Sequence, residues 1–226
     1  VTTLLVLAGL SVLYPLYFVV IASVSDPAAV TSGQALLYPV GINFKSYEMI
    51  FEDRRIWSGY GNTIFYTFFG TLFGLFVTIP AGYALSRRDF VGRGIVLKAM
   101  VFTMYFQGGL IPTYLVVQSL HLINTRYVLI IMGSFTVFNL IISRTFFETT
   151  IPIELQEAAE IDGCTTPHFF FSIVLPLSKA IVAVIALYYA VGHWNSFFNA
   201  LIYVSEERLY PLQLILRDLL LSSQTL

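Results

Sequence analysis

Charged residues are scarce in this sequence of 226 residues. They make up 11% of the chain, whereas hydrophobic residues make up 57%. A soluble domain typically carries roughly a quarter charged residues, so the apolar content exceeds what a water-soluble interior of this size requires. The scarcity of charge excludes a soluble monomer and predicts a protein whose apolar surface faces lipid.

Cysteine and clustered basic residues are also lacking. Cys164 is the only cysteine, which excludes an internal disulfide and any Cys-x-x-Cys redox or zinc motif. The 12 Lys and Arg residues and 13 Asp and Glu residues give a net charge of -1. Because the basic residues are dispersed rather than arranged in a stripe that could follow phosphates, nucleic-acid binding is excluded.

Catalytic groups are not grouped in the sequence. His121, His168 and His193 lie in separate segments without neighbouring nucleophiles or metal ligands, so neither an enzyme nor a metal site is expected. A phosphate-binding Walker loop ends in Gly-Lys-Ser or Gly-Lys-Thr, but no lysine here follows a glycine. The residues that precede the three lysines are Phe44, Leu97 and Ser178.

What the sequence does contain is long windows without Asp, Glu, Lys or Arg. An ionised side chain costs about 2.5 to 3.5 kcal/mol at the centre of a membrane helix, and a span needs about 20 residues. Five windows qualify, the fourth after extension past Arg144 to residue 147, and they predict five transmembrane helices. The windows are residues 1–25, 56–86, 99–121, 127–143 and 180–205.

The connections predict the orientation in the membrane. Four basic residues crowd the short connection 87–98, whereas the connection 26–55 is longer and carries its basic residues further apart. By the positive-inside rule the short connection is cytoplasmic, which also places residues 148–179 inside. The outer connection includes an amphipathic segment of surface-helix pattern behind Asn43, with apolar residues Phe44, Tyr47, Ile50 and Phe51.

Two glycine patterns concern the packing of the spans. Gly70 and Gly74 have the small-xxx-small spacing that allows close helix contact, although glycine is also tolerated in membrane helices without such contact. Gly108, Gly109 and Pro112 predict a bend or interruption of the third span. Such a bend fits either a transport pathway or ordinary packing.

The connection 148–179 predicts a short helix, a glycine turn and a second short helix. Pro152 suits a first helical turn, Gly163 can adopt the left-handed conformation that ends a helix, and Thr166 can cap the second helix before Pro167. Ala158 and Ala159 next to acidic residues would form a flat face that another protein could approach. An ordinary helical hairpin lying on its own membrane domain fits the same spacing.

The residues of this connection resemble a known motif. Residues 157–163 read EAAEIDG and are followed by Phe169, Phe170, Ile173 and the segment 175–179, LPLSK. Both halves are similar to the EAA loop of ABC importer permeases. Cys164 and Ala180 depart from the usual residues of that loop. The resemblance continues through residues 57–63, 108–114, 138–147 and 210–220, where it is similar to carbohydrate-uptake permeases of the oligosaccharide, aldouronate and lipo-oligosaccharide branch.

The resemblance implies an all-α integral membrane protein with the type I ABC importer permease fold. That fold normally has six spans, so five would be present and the last would be missing from a single permease domain over residues 1–226. Within it, residues 148–179 would be the cytoplasmic coupling loop. Its ATPase-coupling residues would be Glu157, Ala158, Ala159, Asp162 and Gly163.

The resemblance also implies the partners. Two ATP-binding subunits would hold Mg-ATP, a second and generally non-identical permease subunit would complete the pathway, and an extracellular solute-binding protein would deliver the sugar across the bacterial cell membrane. The alternative is a self-contained secondary transporter or channel. That class generally uses ionisable residues inside its spans, and apart from His121 at the end of the third window, His193 is the only histidine or charged residue within the five windows.

The substrate pathway is predicted from the fifth span. Trp194, Asn195 and Asn199 combine an aromatic face with amides, which suits stacking on sugar C–H surfaces and hydrogen bonding to hydroxyls. The alternative, which the residue types favour slightly, is hydrogen bonding between helices by the two asparagines, with Trp194 in the core or at the membrane interface. After this span, residues 211–220 predict a short amphipathic helix that contacts either the binding protein or its own bundle, with an apolar face of Leu212, Leu216 and Leu219.

Overall fold

The computed structural model describes residues 2–224, with side chains as far as Ser222. Helices account for 76% of the chain, and no strand occurs between residues 2 and 224. Val1, Thr225 and Leu226 lie outside the described residues. The first predicted span begins at Val1, and the predicted permease domain runs from Val1 to Leu226. Two compact units are present, one up to Ile56 and one from Trp57 onward.

The first unit contains a long apolar helix and two short ones. Apolar residues surround α1 on all sides, as expected for a helix in lipid. Asp26 caps α2 through a 2.9 Å bond from the Ala28 amide. Asn43 accepts a 2.8 Å bond from the Lys45 amide at the start of α3, which is the predicted surface helix. The bounds are α1 Thr2–Val24, α2 Pro27–Thr31 and α3 Lys45–Glu52.

The remaining helices begin with α4, Arg54–Ser86, which has 33 residues and contains Pro80. A π-helical segment, Phe170–Val174, continues α10 into α11, and a 3₁₀ turn, Glu207–Leu209, precedes α14. The others are α5 Arg93–Tyr105, α6 Leu110–Ser119, α7 Arg126–Ile131, α8 Val137–Thr150, α9 Ile153–Ile161, α10 Thr166–Phe169, α11 Leu175–Leu177, α12 Lys179–Trp194, α13 Phe198–Tyr203 and α14 Leu212–Gln224.

Helices occupy all five predicted windows, but three of the windows are interrupted, and at most four spans in residues 2–224 are long and apolar enough to cross a membrane. Only α1 and α4 are single helices long and apolar enough to cross a membrane in residues 2–224. Two bent pairs meet the same criteria: α5 with α6 at 116°, and the helix Thr166–Leu177 with α12 at 81°. The fourth window is divided between α7 and α8, and α13 continues the fifth after a break. Charge-free windows reveal apolar length, whereas backbone breaks depend on tertiary contacts.

The predicted interruption of the third span is confirmed. Residues 106–109 separate α5 from α6, and Gly109 has a φ of 83°, a conformation that favours glycine. Freed backbone groups at membrane depth need protein or water next to them. The bend therefore marks a segment that does not face lipid alone.

Added Cβ atoms at Gly70 and Gly74 would both overlap neighbouring residues, which confirms the close contact predicted for this pair, and Gly82 further along α4 is equally confined. A Cβ added at Gly74 would lie 2.8 Å from the Ser134 carbonyl oxygen, and one added at Gly82 would lie 2.7 Å from the Ser143 Cβ. Both distances are shorter than side chains tolerate, so only glycine allows these approaches. The glycines therefore set the distance between α4 and the chain around α8.

Two apolar clusters form the core of the second unit. One joins the carboxyl-terminal half of α4 to α8, α9 and α12. The other joins α4 to α7, α13 and the start of α14. The first cluster includes Ile79, Tyr83, Phe147, Ala159, Phe169, Phe170, Val174 and Ile185. The second includes Tyr66, Val117, Val128, Leu129, Ala200, Tyr203, Leu209 and Leu214.

Candidate coupling loop and substrate pathway

The connection after α8 folds as the sequence predicts, into a helix, a glycine turn and a second helix. Gly163 has a φ of 72° and lies between α9 and α10. Three details differ from the prediction. Pro152 precedes α9 rather than starting it, Thr165 rather than Thr166 occupies the N-cap position of α10, and the second helix bends at Ser178, two residues after Pro176.

The two alanines of α9 lie on different faces, so the predicted flat face of two alanines is wrong. Ala158 is exposed, together with Glu157, Asp162 and Gly163. Ala159 is only 9% exposed and belongs to the first apolar cluster. A helix advances about 100° per residue, so neighbouring residues face different directions. α9 thus has an outer face that carries acidic residues and an apolar inner face of Leu155 and Ala159.

Three arginines gather at the carboxyl end of α4. The Arg144 Nε donates to the Leu85 carbonyl at 3.3 Å, and the Arg93 Nη1 donates to the carbonyls of Ser86 and Arg87 at 3.3 and 3.2 Å. The last carbonyls of a helix lack intrahelical donors, and the helix dipole attracts cations there. The arginines therefore satisfy the end of α4.

Three carboxylates balance these arginines. Arg87 pairs with Asp89 at 2.7 Å and with Glu160 of α9 at 3.3 Å. Glu148 lies 2.7 Å from Arg144 and 4.0 Å from Arg93. The hydrogen bond with Arg87 lowers the pKa of Asp89, and the same bond raises the pKa of Arg87. Opposite charges stabilise both ionised forms.

This network places two chain segments at the same end of the second unit. Arg87 begins the short basic connection and Glu160 lies in the predicted coupling loop, so their ion pair joins the two segments that were predicted to share a side. A cleft of about 180 Å³ lies next to it, between the end of α4 and the start of α9. Tyr83, Arg88, Thr149 and Gln156 are among its lining residues.

Trp194, the last residue of α12, lines a groove along α4. The groove has a volume of about 400 Å³, and Thr67 and Thr71 contribute to its wall. Their hydroxyl oxygens are buried and have no hydrogen-bond partner among the residues that the structure describes. The other lining residues are apolar: Ile64, Phe68, Leu72, Leu75 and Ala190.

The two predicted amides lie beyond Trp194. Asn195 is the C-cap residue of α12 and donates through Nδ2 to the Val191 carbonyl at 3.0 Å, which leaves its side-chain carbonyl oxygen available. Asn199 is half-buried in α13, after the break that follows Asn195. The structure therefore brings Trp194 and Asn195 together at one helix end and places Asn199 in the next helix.

The second unit contains a buried polar centre around His193 that the sequence did not link to any function. His193 is 5% exposed, and its Nε2 lies 3.4 Å from the Ser134 hydroxyl, which donates to the Gly70 carbonyl at 3.0 Å. One turn earlier, Tyr189 bonds the Thr78 hydroxyl at 2.6 Å. In the sequence, the spacing of Gly70 and Gly74 indicated a close helix contact at this place. Among residues 2–224, no cluster of His, Cys, Asp and Glu could hold a metal ion.

The opposite end of α4 is held by the segment before α14. Asn62 donates to the carbonyls of Arg208 and Tyr210 at 2.8 and 3.1 Å, which identifies a structural role for this amide. Of the predicted apolar face of α14, Leu212 is buried but Leu216 is 37% exposed. Leu214 and Ile215 are buried instead, so the start of α14 packs on its own bundle.

The fold and the loop define a class: an all-helical membrane protein with interrupted spans and a helix–turn–helix connection at one end. No family model matches the chain. It is 40% identical over 219 residues to the polygalacturonan/rhamnogalacturonan transport system permease protein YtcP of Bacillus subtilis, over 97% of this chain and 76% of that protein. It is 39% identical over 215 residues to protein LplC of the same species, over 95% and 72%.

A solved structure agrees with these relatives. The chain matches a bacterial ABC transporter involved in the import of the acidic polysaccharide alginate, with a TM-score of 0.91 and 36% identity over 96% of this chain and 77% of that chain. The chain therefore belongs to the permease subunits of carbohydrate ABC import systems. The predicted fold class and the role as a transport subunit rather than an enzyme are confirmed. Membership implies ATPase and binding-protein partners.

Proposed function

We propose that the chain forms half of the membrane pathway of an importer for acidic oligosaccharides. Sequence similarity to two proteins supports this proposal. The chain is 40% identical to YtcP, a polygalacturonan/rhamnogalacturonan transport system permease, and 36% identical to a chain of a transporter involved in the import of the acidic polysaccharide alginate. Polygalacturonan and alginate are both chains of uronic acids. The substrate class is therefore an oligosaccharide that carries carboxylates, delivered by an extracellular binding protein.

The proposed coupling surface is the outer face of α9 and the turn after it. Glu157, Ala158, Asp162 and Gly163 are exposed there and would contact an ATP-binding subunit in the cytoplasm of a bacterial cell. Carboxylates can pair with basic groups, and a small side chain permits close approach. Ala159 would contribute from the inner face, where its small size lets α9 pack closely on the first apolar cluster.

The proposed assembly has two ATP-binding subunits that hold Mg-ATP and a second, non-identical permease subunit. The pathway would run at the midplane between the two permeases, which move against each other in alternating access. On this chain, Trp194 would stack on sugar rings, and the free carbonyl oxygen of Asn195 and the amide of Asn199 would accept and donate hydrogen bonds to hydroxyls.

The test is transport by the complete assembly reconstituted in liposomes. Uptake of oligogalacturonate that requires ATP hydrolysis is the expected result, with a neutral oligosaccharide of the same length as the comparison. Equal uptake of both sugars would overturn the acidic specificity. Uptake by this chain and its permease partner without any ATP-binding subunit would instead identify a secondary transporter or channel.

A further inference from the structure

Arg87 joins α4 to the proposed coupling helix. Its side chain is 11% exposed and has partners on three sides: the Tyr83 hydroxyl at 3.1 Å, Asp89 at 2.7 Å and Glu160 at 3.3 Å. Tyr83 lies one turn earlier on α4 and is buried in the first apolar cluster. A displacement of Glu160 therefore acts on a side chain that is anchored in the core of α4.

We propose that Arg87 is a positioning residue that transmits the movement of α9 to α4 through its ion pair with Glu160. The inference rests on the proposed coupling role of α9. It assigns the transmission to the ion pair that links α9 to α4, which is distinct from the residues proposed to contact the ATP-binding subunit. α4 is the longest helix of the chain and borders the groove of Trp194, so the pair connects the coupling loop to the proposed pathway.

A second residue of α9 holds the Glu160 carboxylate in place for this contact. Gln156, one turn earlier on α9, donates through Nε2 to the Glu160 Oε1 at 2.9 Å, the same oxygen that faces Arg87. Glu157 and Asp162, by contrast, are exposed on the outer face of the helix end. Glu160 differs from them because its side chain, although 57% exposed, contacts both Gln156 and Arg87.

A competing route is the apolar contact of Ala159 with the first cluster. The two routes differ in their response to salt. An exposed or half-exposed ion pair weakens as ionic strength rises, because the Debye length falls from about 10 Å at 0.1 M to about 3 Å at 1 M. An apolar contact does not weaken in this way. Salt dependence therefore separates transmission through charge from a merely structural role.

The experiment compares Glu160→Gln with the matched control Glu154→Gln in the reconstituted assembly. Glu154 lies in the first turn of the same helix and is exposed. The amide at position 160 keeps a hydrogen-bonding group for Gln156 but removes the negative charge that pairs α9 with Arg87, while Asp89 still pairs with Arg87. The measurement is the amount of oligogalacturonate taken up per ATP hydrolysed, at low and high salt.

We expect Glu160→Gln to lower this ratio by about two- to fivefold, the range that a partly exposed ion pair supports. Glu154→Gln should keep the wild-type ratio. Raising the salt concentration should lower the wild-type ratio toward that of Glu160→Gln, while the variant itself responds less. An unchanged ratio in Glu160→Gln, an equal loss in both variants or an equal salt response would overturn the proposal.

The same experiment separates this inference from the proposed function. If the wild-type assembly takes up sugar only with ATP but Glu160→Gln behaves like wild type, transmission through Arg87 is wrong and the coupling role of α9 stands. If wild-type uptake does not depend on ATP hydrolysis, the proposed function is wrong and the inference fails with it.

Discussion

The imidazole ring of His193 lies directly against Gly133, where an added Cβ would be only 2.8 Å from the ring atom Cε1. The ring lies still closer to Gly70 of α4, where an added Cβ would overlap the ring atom Nε2. His193 thus fills a slot between two glycines and joins α12 to α4 and to the break between α7 and α8. In a lipid environment, where apolar burial gives little drive for helix association, such close packing stabilises the bundle.

Replacing Gly70 by alanine should destabilise the protein. The new methyl group would overlap the His193 ring, and overpacking of this kind costs about 1 to 3 kcal/mol. Gly61→Ala on the same helix is the control, because nothing lies within 4 Å of a Cβ there. The measurement is the thermal unfolding midpoint of the purified protein in detergent. Equal midpoints for the two variants would contradict the tight slot.

The two alanines of α9 should respond differently to leucine. Ala159→Leu would force a large side chain into the first apolar cluster and should lower the unfolding midpoint, since overpacking costs about 1 to 3 kcal/mol. Ala158→Leu should leave the midpoint unchanged because this residue is exposed. It should nevertheless reduce copurification of the ATP-binding subunit. A normal yield of the complex with Ala158→Leu would argue against docking on this face.

The turn at Gly163 should tolerate asparagine better than valine. Its φ of 72° lies in the left-handed region, which costs an ordinary L-residue about 1 to 2 kcal/mol and a β-branched residue more. Asparagine enters this region more readily. ATP-driven uptake should therefore fall strongly in Gly163→Val and only slightly in Gly163→Asn, with both proteins present in the membrane. The opposite order would exclude a role for the turn geometry.

Acid should weaken the network at the end of α4. The Arg87 guanidinium lowers the pKa of Asp89 in the folded protein, so this carboxylate stabilises the fold above its unfolded pKa of about 3.9. That stabilisation is lost as pH falls below about 4 and through the lower folded pKa. The unfolding midpoint should fall less between pH 5 and pH 3 in Asp89→Asn than in wild type. Parallel pH profiles would contradict this contribution.

Replacing Trp194 should weaken transport in proportion to the aromatic surface lost. Aromatic stacking contributes about 0.5 to 1.5 kcal/mol beyond area burial, which corresponds to about a two- to tenfold loss of uptake at low substrate concentration in Trp194→Ala. Trp194→Phe retains a ring and should lose less. The measurement is the initial rate of ATP-driven oligogalacturonate uptake over a range of concentrations. Wild-type uptake rates in both variants would place Trp194 outside the pathway.

The sequence determined the class of protein and much of the coupling loop. Scarce charge and long apolar windows require lipid as the surrounding medium, because ionised groups are too costly there and apolar length is local information. The turn at Gly163 was also predictable, since glycine after a helix of this pattern favours the left-handed conformation. The interruption at Gly108 and Gly109 followed from the same kind of local backbone preference.

Only the tertiary structure decided which residues meet. The breaks between α7 and α8 and after α12 were invisible in the hydropathy pattern, because their free backbone groups are accommodated by neighbouring helices rather than by local residue type. The inward direction of Ala159 depends on where the core lies relative to α9. The pairing of Arg87 with Glu160 joins positions 73 residues apart, a distance in sequence over which composition and periodicity carry no information about contact.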